Sequence, residues 1–201
     1  MTEPVGLVTY LDFGPSFAHA AGEGLRSRAA QVRSDAGAIE ATPLREVGRP
    51  ERFALIETWT DQAQLDAHRS ANANLSPAVA AGLCAPPDER IGEPFSLDAA
   101  PPTGHPALYV LVHVDVVPFN LDAVGDWLRT HADAARAAPG ALRFEVWRQV
   151  GRPNHFTVIE GWTDRDAYAR HIESEAARTF RANLTTVKGA LYDARLYERV
   201  D

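Results

Sequence analysis

The chain alternates two kinds of apolar pattern, and the order in which they come predicts its elements. Residues 108–117, LYVLVHVDVV, form a β-branched apolar run suited to a buried strand, and GLVTYLDF, residues 6–13, fills the same place near the start. After the later run, Leu121, Val124, Leu128, His131 and Ala135 recur every three or four residues, which builds one helical face that Pro139-Gly140 stops. Phe17, Ala21, Leu25 and Val32 mark the earlier counterpart. Two further strand-like runs, ALRFEVWRQV and HFTVIEGW, flank GRPN, whose glycine and proline suit a hairpin loop between antiparallel strands. Thr163-Asp164, like Thr60-Asp61, offers side-chain oxygens to the free N–H groups of a new helix carrying Tyr168, His171, Ile172 and Phe180. LYDARLYERV reads as a closing strand; its partner ERIGEPFSL is weaker, because Gly92 and Pro94 interrupt the pattern.

These patterns are one unit written twice. RFALIETWTD at 52–61 returns as HFTVIEGWTD at 155–164, and a single shift of 103 positions also maps Asp12 on Asp115, Leu25 on Leu128, Gly37 on Gly140, Val47-Gly48-Arg49-Pro50 on Val150-Gly151-Arg152-Pro153, Glu57 on Glu160 and His68 on His171. A gapless repeat of that length predicts tandem domains rather than a solenoid. The proline- and alanine-rich LDAAPPTGHPA reads as the connection, giving a first domain over 1–98, a linker over 99–107 and a second domain over 108–201. Each copy has the order β-α-β-β-α-β, the split ferredoxin-like unit. A four-stranded sheet with both helices on one side leaves its other face bare, and a second such sheet can cover it. The expected fold is therefore α+β: two tandem ferredoxin-like domains forming an intrachain dimeric α/β barrel.

Composition narrows the partners. Of the 201 residues 20 are basic and 27 acidic, a formal net charge of -7 with no run of lysine or arginine, so phosphates meet no positive field and nucleic acid is not expected. The lone Cys84 has no internal disulfide partner, and MTEPVGLVTY lacks the basic end and long apolar run of a signal peptide, so a soluble cytoplasmic protein is expected. No apolar stretch reaches the roughly 20 residues that cross a bilayer. No cysteine cluster, His-x-x-x-His helix, glycine-rich phosphate loop or Gly-x-Ser-x-Gly elbow is present.

The string IExWTD, followed by a helix containing AHRS or RHIES within this order of elements, resembles the antibiotic biosynthesis monooxygenase superfamily of dimeric α/β barrels, here in tandem form. The resemblance covers nearly the whole chain apart from the linker. It implies an oxidoreductase, a monooxygenase that oxidises a small aromatic or quinol-like molecule with O2 and no bound flavin or metal, working as a monomeric pseudo-dimer or a homodimer. The same resemblance also covers haem-degrading relatives, whose first-strand asparagine and late second-helix histidine fall near Tyr10 or His113 and on Ala78 or Arg181 in this chain. A non-catalytic ligand-binding or assembly module of the same fold is the other alternative.

Chemistry of that kind needs an apolar cleft, a group that removes a phenolic proton and donors that steady the anion. His68 and His171, nine residues after their tryptophans, and the matched pair Tyr10 and His113 on strand one are the candidate catalytic residues. Trp59, Trp162, Trp127, His131 and Phe180 are candidate substrate-binding residues, with packing the ordinary role of the two strand tryptophans. Phe156, Val158, Glu160 and Trp162 share one strand face. Glu57 and Glu160 fit either a buried carboxylate with a raised pKa or half of an ion pair with Arg45, Arg52 or Arg148. His131 stands where the first copy has Arg28, and the second copy, richer in aromatic and histidine residues, is the expected seat of function if one half has specialised.

Overall fold

The computed structural model describes residues 3–72, 75–98, 104–190 and 192–200. The chain divides into two units, one of residues 1–93 with 197–201, the other of residues 94–196. Residues 99–103 of the expected linker lie outside the described residues.

In the first unit β1 (Val5–Asp12) leads through a single 3-10 turn into α1 (Ala18–Ser34), then β2 (Ala38–Glu46), β3 (Arg52–Trp59), α2 (Gln62–Asn72), the one-turn α3 (Pro77–Ala80) and β4 (Asp88–Ser96). β1 pairs antiparallel with both β3 and β4, and β2 pairs with β3. In the second unit the same order gives β5 (Leu108–Asp115), α4 (Leu121–Arg136), β6 (Ala141–Gln149), β7 (His155–Trp162), α5 (Arg165–Glu173), α6 (Glu175–Thr185) and β8 (Asp193–Arg199). β7 lies between β5 and β6 in antiparallel register. The hydrogen-bonded strand order is β1-β3-β2-β8-β5-β7-β6-β4, a closed antiparallel ring. This is the tandem ferredoxin-like α+β fold that the β-α-β-β-α-β pattern predicts.

DERIGEPFS, residues 88–96, forms the nine-residue β4 in spite of its glycine and proline, one residue ahead of the expected ERIGEPFSL. Gly92 sits opposite Gly6 of β1, and Pro94 falls where the chain passes from the first unit to the second. There Arg136 of α4 donates to the Ser96 carbonyl at 2.9 Å and to Asp98 at 2.6 Å, and Asp98 accepts the Phe144 N–H at 3.0 Å. The end of the chain behaves reciprocally: residues 197–199 pair with β2 inside the first unit.

The second helix of the later copy departs from expectation. A continuous helix through Phe180 is replaced by α5 and α6, broken at Ser174, whose extended backbone (ψ 154°) leaves the helix while its side chain accepts the Ala177 N–H at 3.2 Å. An N-cap of this kind contributes about 1 kcal/mol. Ser174→Ala is expected to cost about that amount in urea unfolding, with Ser174→Asp restoring most of it.

What docks each second helix is the repeated glycine. Gly37 and Gly140 have φ of 81° and 87°, a conformation that side chains rarely adopt. Their carbonyls accept the N–H groups of Thr60 and Thr163, and a Cβ at Gly140 would lie 2.6 Å from that of Ala167 on α5. Asp61 and Asp164 then cap the helices by accepting from Gln64 and Ala167. This close approach brings His68 and His171 against β3 and β7.

Candidate functional site

Alternation along β1 and β3 sends Leu7, Thr9, Leu11, Leu55 and Glu57 toward the helices of the first unit. With Leu25 and Arg28 of α1 and His68 and Arg69 of α2, they enclose a cavity of about 620 Å³. Six leucines line it, and Arg28, Glu57 and His68 lie near one another in its wall. His68 is buried, with Nδ1 hydrogen-bonded to Asp35 and Nε2 2.6 Å from an Arg28 guanidinium nitrogen. The Trp59 ring backs it at 4.7 Å between centroids, and the Trp59 indole N–H donates to Glu57 at 3.0 Å. Burial, the largest influence, raises the Glu57 pKa above the usual carboxylate value, against the opposing pull of that indole bond and of His68 and Arg28. At the cavity wall Arg69 pairs with Glu89.

The second unit keeps Glu160 and Trp162 in the same relation, with the indole N–H donating at 2.9 Å, but fills the space. Phe144, Tyr168 and Phe180 occupy the positions of Ala41, Leu65 and Pro77 under the 103-residue shift. His131, in place of Arg28, is stacked on Phe180 at 4.4 Å and lies 5.2 Å from the His171 ring, which itself packs on Trp162 at 4.7 Å. About 220 Å³ remains between His171, Glu160 and Tyr168. A separate hollow of about 460 Å³ lies between α4 and α6, where Trp127, His131 and Phe180 meet. The aromatic and histidine side chains of the later copy thus take up part of the space beside the sheet and line two smaller hollows, and the cavity of about 620 Å³ in the first copy is larger than either.

The structure brings His68 and Trp59 together in one unit and His171, His131, Trp162 and Phe180 together in the other. Trp59 and Trp162 are fully buried and stand behind the histidines. Tyr10 and His113 alternate with the cavity-facing residues of β1 and β5, so they point to the opposite strand face. His113 lies 3.5 Å from the Thr157 hydroxyl, beside a small hollow of about 180 Å³ shared with Arg181 and Lys188. Asp35, just past the end of α1, is a site residue that the sequence did not single out. It lies 33 positions from His68 with no periodic relation to it, and only the docking of α2 beside the end of α1 joins them. Among the described residues no group of three or more potential ligands could hold a metal ion, and no helix is long and apolar enough to cross a membrane.

Burial sets the charge states of the second unit. It lowers the pKa of His131 to about 3 and of His171 to about 4, helped by the neighbouring Arg181, and raises that of Glu160 to about 7. Below pH 6.5 the unfolded histidines take up protons that the folded ones refuse until about pH 4 and 3, so this contribution to stability falls as pH drops through that window. Glu160 acts with the opposite sign, losing stability as pH rises from 4.5 to about 7. Two histidines outweigh one carboxyl near pH 5. His131→Phe is therefore expected to raise stability relative to the parent more at pH 5 than at pH 7, as measured by urea unfolding at both.

Two ferredoxin-like units, the first with a cavity of about 620 Å³ between sheet and helices that Arg28, Glu57 and His68 help to line, define a tandem α+β protein. The family model for antibiotic biosynthesis monooxygenases matches residues 4–75 and 107–183, and the chain belongs to that family. Among solved structures it resembles a provisionally assigned monooxygenase from Lactobacillus acidophilus (TM-score 0.79, 12% identity, 99% of this chain and 95% of that one). It is similar also to one of the same provisional assignment from Fusobacterium nucleatum (0.79, 12%, 100% and 94%). An anthrone oxidase-like protein follows at TM-score 0.71 and 13% identity, covering 100% of this chain and 92% of that one. At these identities the likeness is one of fold. No curated protein matches the sequence.

Proposed function

We propose that the chain is a cofactor-independent monooxygenase that oxidises a small phenolic aromatic or quinol-like molecule with O2 in the cavity of the first unit. The observation that carries this reading is the cavity of about 620 Å³ lined by six leucines together with Arg28, His68 and Glu57. An electron-rich phenol supplies its own reducing electrons once its proton is removed, so the protein's task is to bind, deprotonate and hold the anion while excluding water. Glu57, a buried carboxylate in the cavity wall, accepts the phenolic proton. Arg28 offers N–H donors to the resulting oxyanion. The reaction balances as a phenol bearing a para C–H plus O2 giving a quinone plus water, or a quinol bearing a ring C–H plus O2 giving a hydroxyquinone plus water: one oxygen atom enters the ring, and the other leaves as water with two of the substrate's hydrogens.

Family membership and the anthrone oxidase-like neighbour support this choice of substrate class. The test gives the purified chain a panel of naphthols, anthrones and hydroquinones under 18O2, with oxygen uptake and mass spectrometry as readouts. Enzyme-dependent uptake with one labelled oxygen in the product is expected. Binding of these aromatics without any uptake above the buffer rate would assign the cavity to a ligand-binding module instead.

A further inference from the structure

One polar group on the inner face of β1 has nothing in the protein to bond. Thr9 is only 9% exposed and stands between Leu7 and Leu11 in the cavity wall of the first unit. The other buried threonines have hydrogen-bonding neighbours: Thr42 donates to Glu40 at 2.7 Å, and Thr157 lies 3.5 Å from His113. Among the described residues the Thr9 hydroxyl has none. Directly opposite it are Leu55 of β3, which offers no polar side chain, and Glu89 of β4, which is engaged by Arg69. The second unit is a natural contrast. Under the 103-residue shift Leu7, Leu11 and Leu55 become Val110, Val114 and Val158, apolar for apolar, whereas Thr9 becomes Val112, which has nearly the same shape without the hydroxyl and is fully buried. Valine therefore serves the strand and its packing at this place, and the threonine adds only a polar group facing the cavity.

Strand register decides what that group can reach. Leu7 lies opposite Glu57 and Thr9 opposite Leu55, so Thr9 and Glu57 are diagonal neighbours, roughly 7 Å apart at Cβ. A ring lying over Leu7 and Leu55 with one hydroxyl at Glu57 brings its far end to Thr9. From this geometry we infer that Thr9 is a specificity-determining residue that takes the second oxygen of a ring oxygenated at both ends, so that the cavity selects quinols over monophenols. The inference rests on the cavity being the substrate site, and it deepens that reading by naming the residue that senses the second oxygen. A threonine hydroxyl both donates and accepts. It accepts from the quinol O–H and donates to the carbonyl that this oxygen becomes, which neither the Glu57 carboxylate nor the Arg28 guanidinium can do. In that reaction one atom of O2 enters at a ring C–H as a new hydroxyl, and the other leaves as water with the two hydroxyl hydrogens of the quinol.

Titration calorimetry on the full chain under argon tests the assignment with 1,4-dihydroxynaphthalene and 1-naphthol, which differ only in the second hydroxyl. The parent is expected to bind the diol about tenfold more tightly, the size of one buried hydroxyl gaining its partner. Thr9→Val and Thr9→Ala are expected to remove that preference by weakening the diol alone, and Thr9→Ser to keep most of it. Valine retains the volume and alanine does not, so a loss common to both belongs to the hydroxyl. In oxygen uptake, the ratio of kcat/KM for the diol to that for 1-naphthol is expected to fall about tenfold in Thr9→Val and to recover in Thr9→Ser, whereas a role in packing would lower both substrates alike. Equal affinity of the parent for the two ligands, failure of both to bind, or a Thr9→Val variant that weakens both alike would each overturn the inference. If the parent prefers the diol and Thr9→Val does not, but no oxygen is consumed, the oxidation reading fails and the role of Thr9 stands. If oxygen is consumed and the preference for the diol survives in Thr9→Val, the oxidation reading stands and the role of Thr9 falls.

Discussion

Glu57→Gln is expected to lower kcat for phenol oxidation by about 100-fold or more while leaving the affinity for 1-naphthol within a few-fold, the pattern of a lost general base. Glutamine keeps an oxygen for the Trp59 indole N–H, so the fold should be untouched. It cannot take a proton. Because burial raises the Glu57 pKa and the carboxylate is the active form, kcat in the parent should climb with pH through that raised value, and the climb should vanish in the variant. Glu160→Gln is the matched control. It removes a carboxyl held at about pH 7 in the filled second unit and is expected to change kcat less than twofold. A kcat for Glu57→Gln equal to that of the parent at every pH would remove Glu57 from the mechanism.

Trp162→Ala is expected to be the most destabilising single change considered, at about 3 to 5 kcal/mol in urea unfolding at pH 7. The indole is fully buried and packs against His171 and Tyr168. Its N–H also serves Glu160, which is buried and whose other surroundings raise its pKa. Truncation leaves a cavity and removes that donor together. Trp162→Phe separates the two effects: it keeps most of the volume, drops the N–H, and is expected to cost about 1 to 3 kcal/mol. A loss below 1 kcal/mol for Trp162→Ala would mean that the second unit is far less tightly packed than the ring geometry indicates.

The local elements were legible because each follows from rules that act over a few residues. Side chains of period two wrote the strands, period three to four wrote α1 and α4, and Gly140, Thr163 and Asp164 wrote the join between β7 and α5. The expected helix through Phe180 did not survive as one piece, since a serine that can accept an N–H ends one helix and begins another at little cost. Spacing alone allows the carboxylates beside the tryptophans two roles; in the folded chain each accepts an indole N–H from two residues further on, a bond between neighbours on the same strand face.

The site itself was only half visible. His68, Trp59 and Glu57 lie within one continuous strand and helix, so their nearness follows from spacing. Asp35 and Arg28 reach them from the end and the middle of another helix, and no local pattern records that approach. A count of aromatic residues favours the second copy, but it shows how many rings are present and not how much space they line or fill.

By itself the amino-acid order determined the duplicated β-α-β-β-α-β plan, the faces of its strands and the points where its helices begin, all consequences of backbone geometry and hydrophobic periodicity. Tertiary structure alone decided how large a space each copy keeps beside its sheet, since that depends on summed side-chain volumes: alanine, leucine and proline at positions 41, 65 and 77 leave room that phenylalanine, tyrosine and phenylalanine in the other copy partly take up.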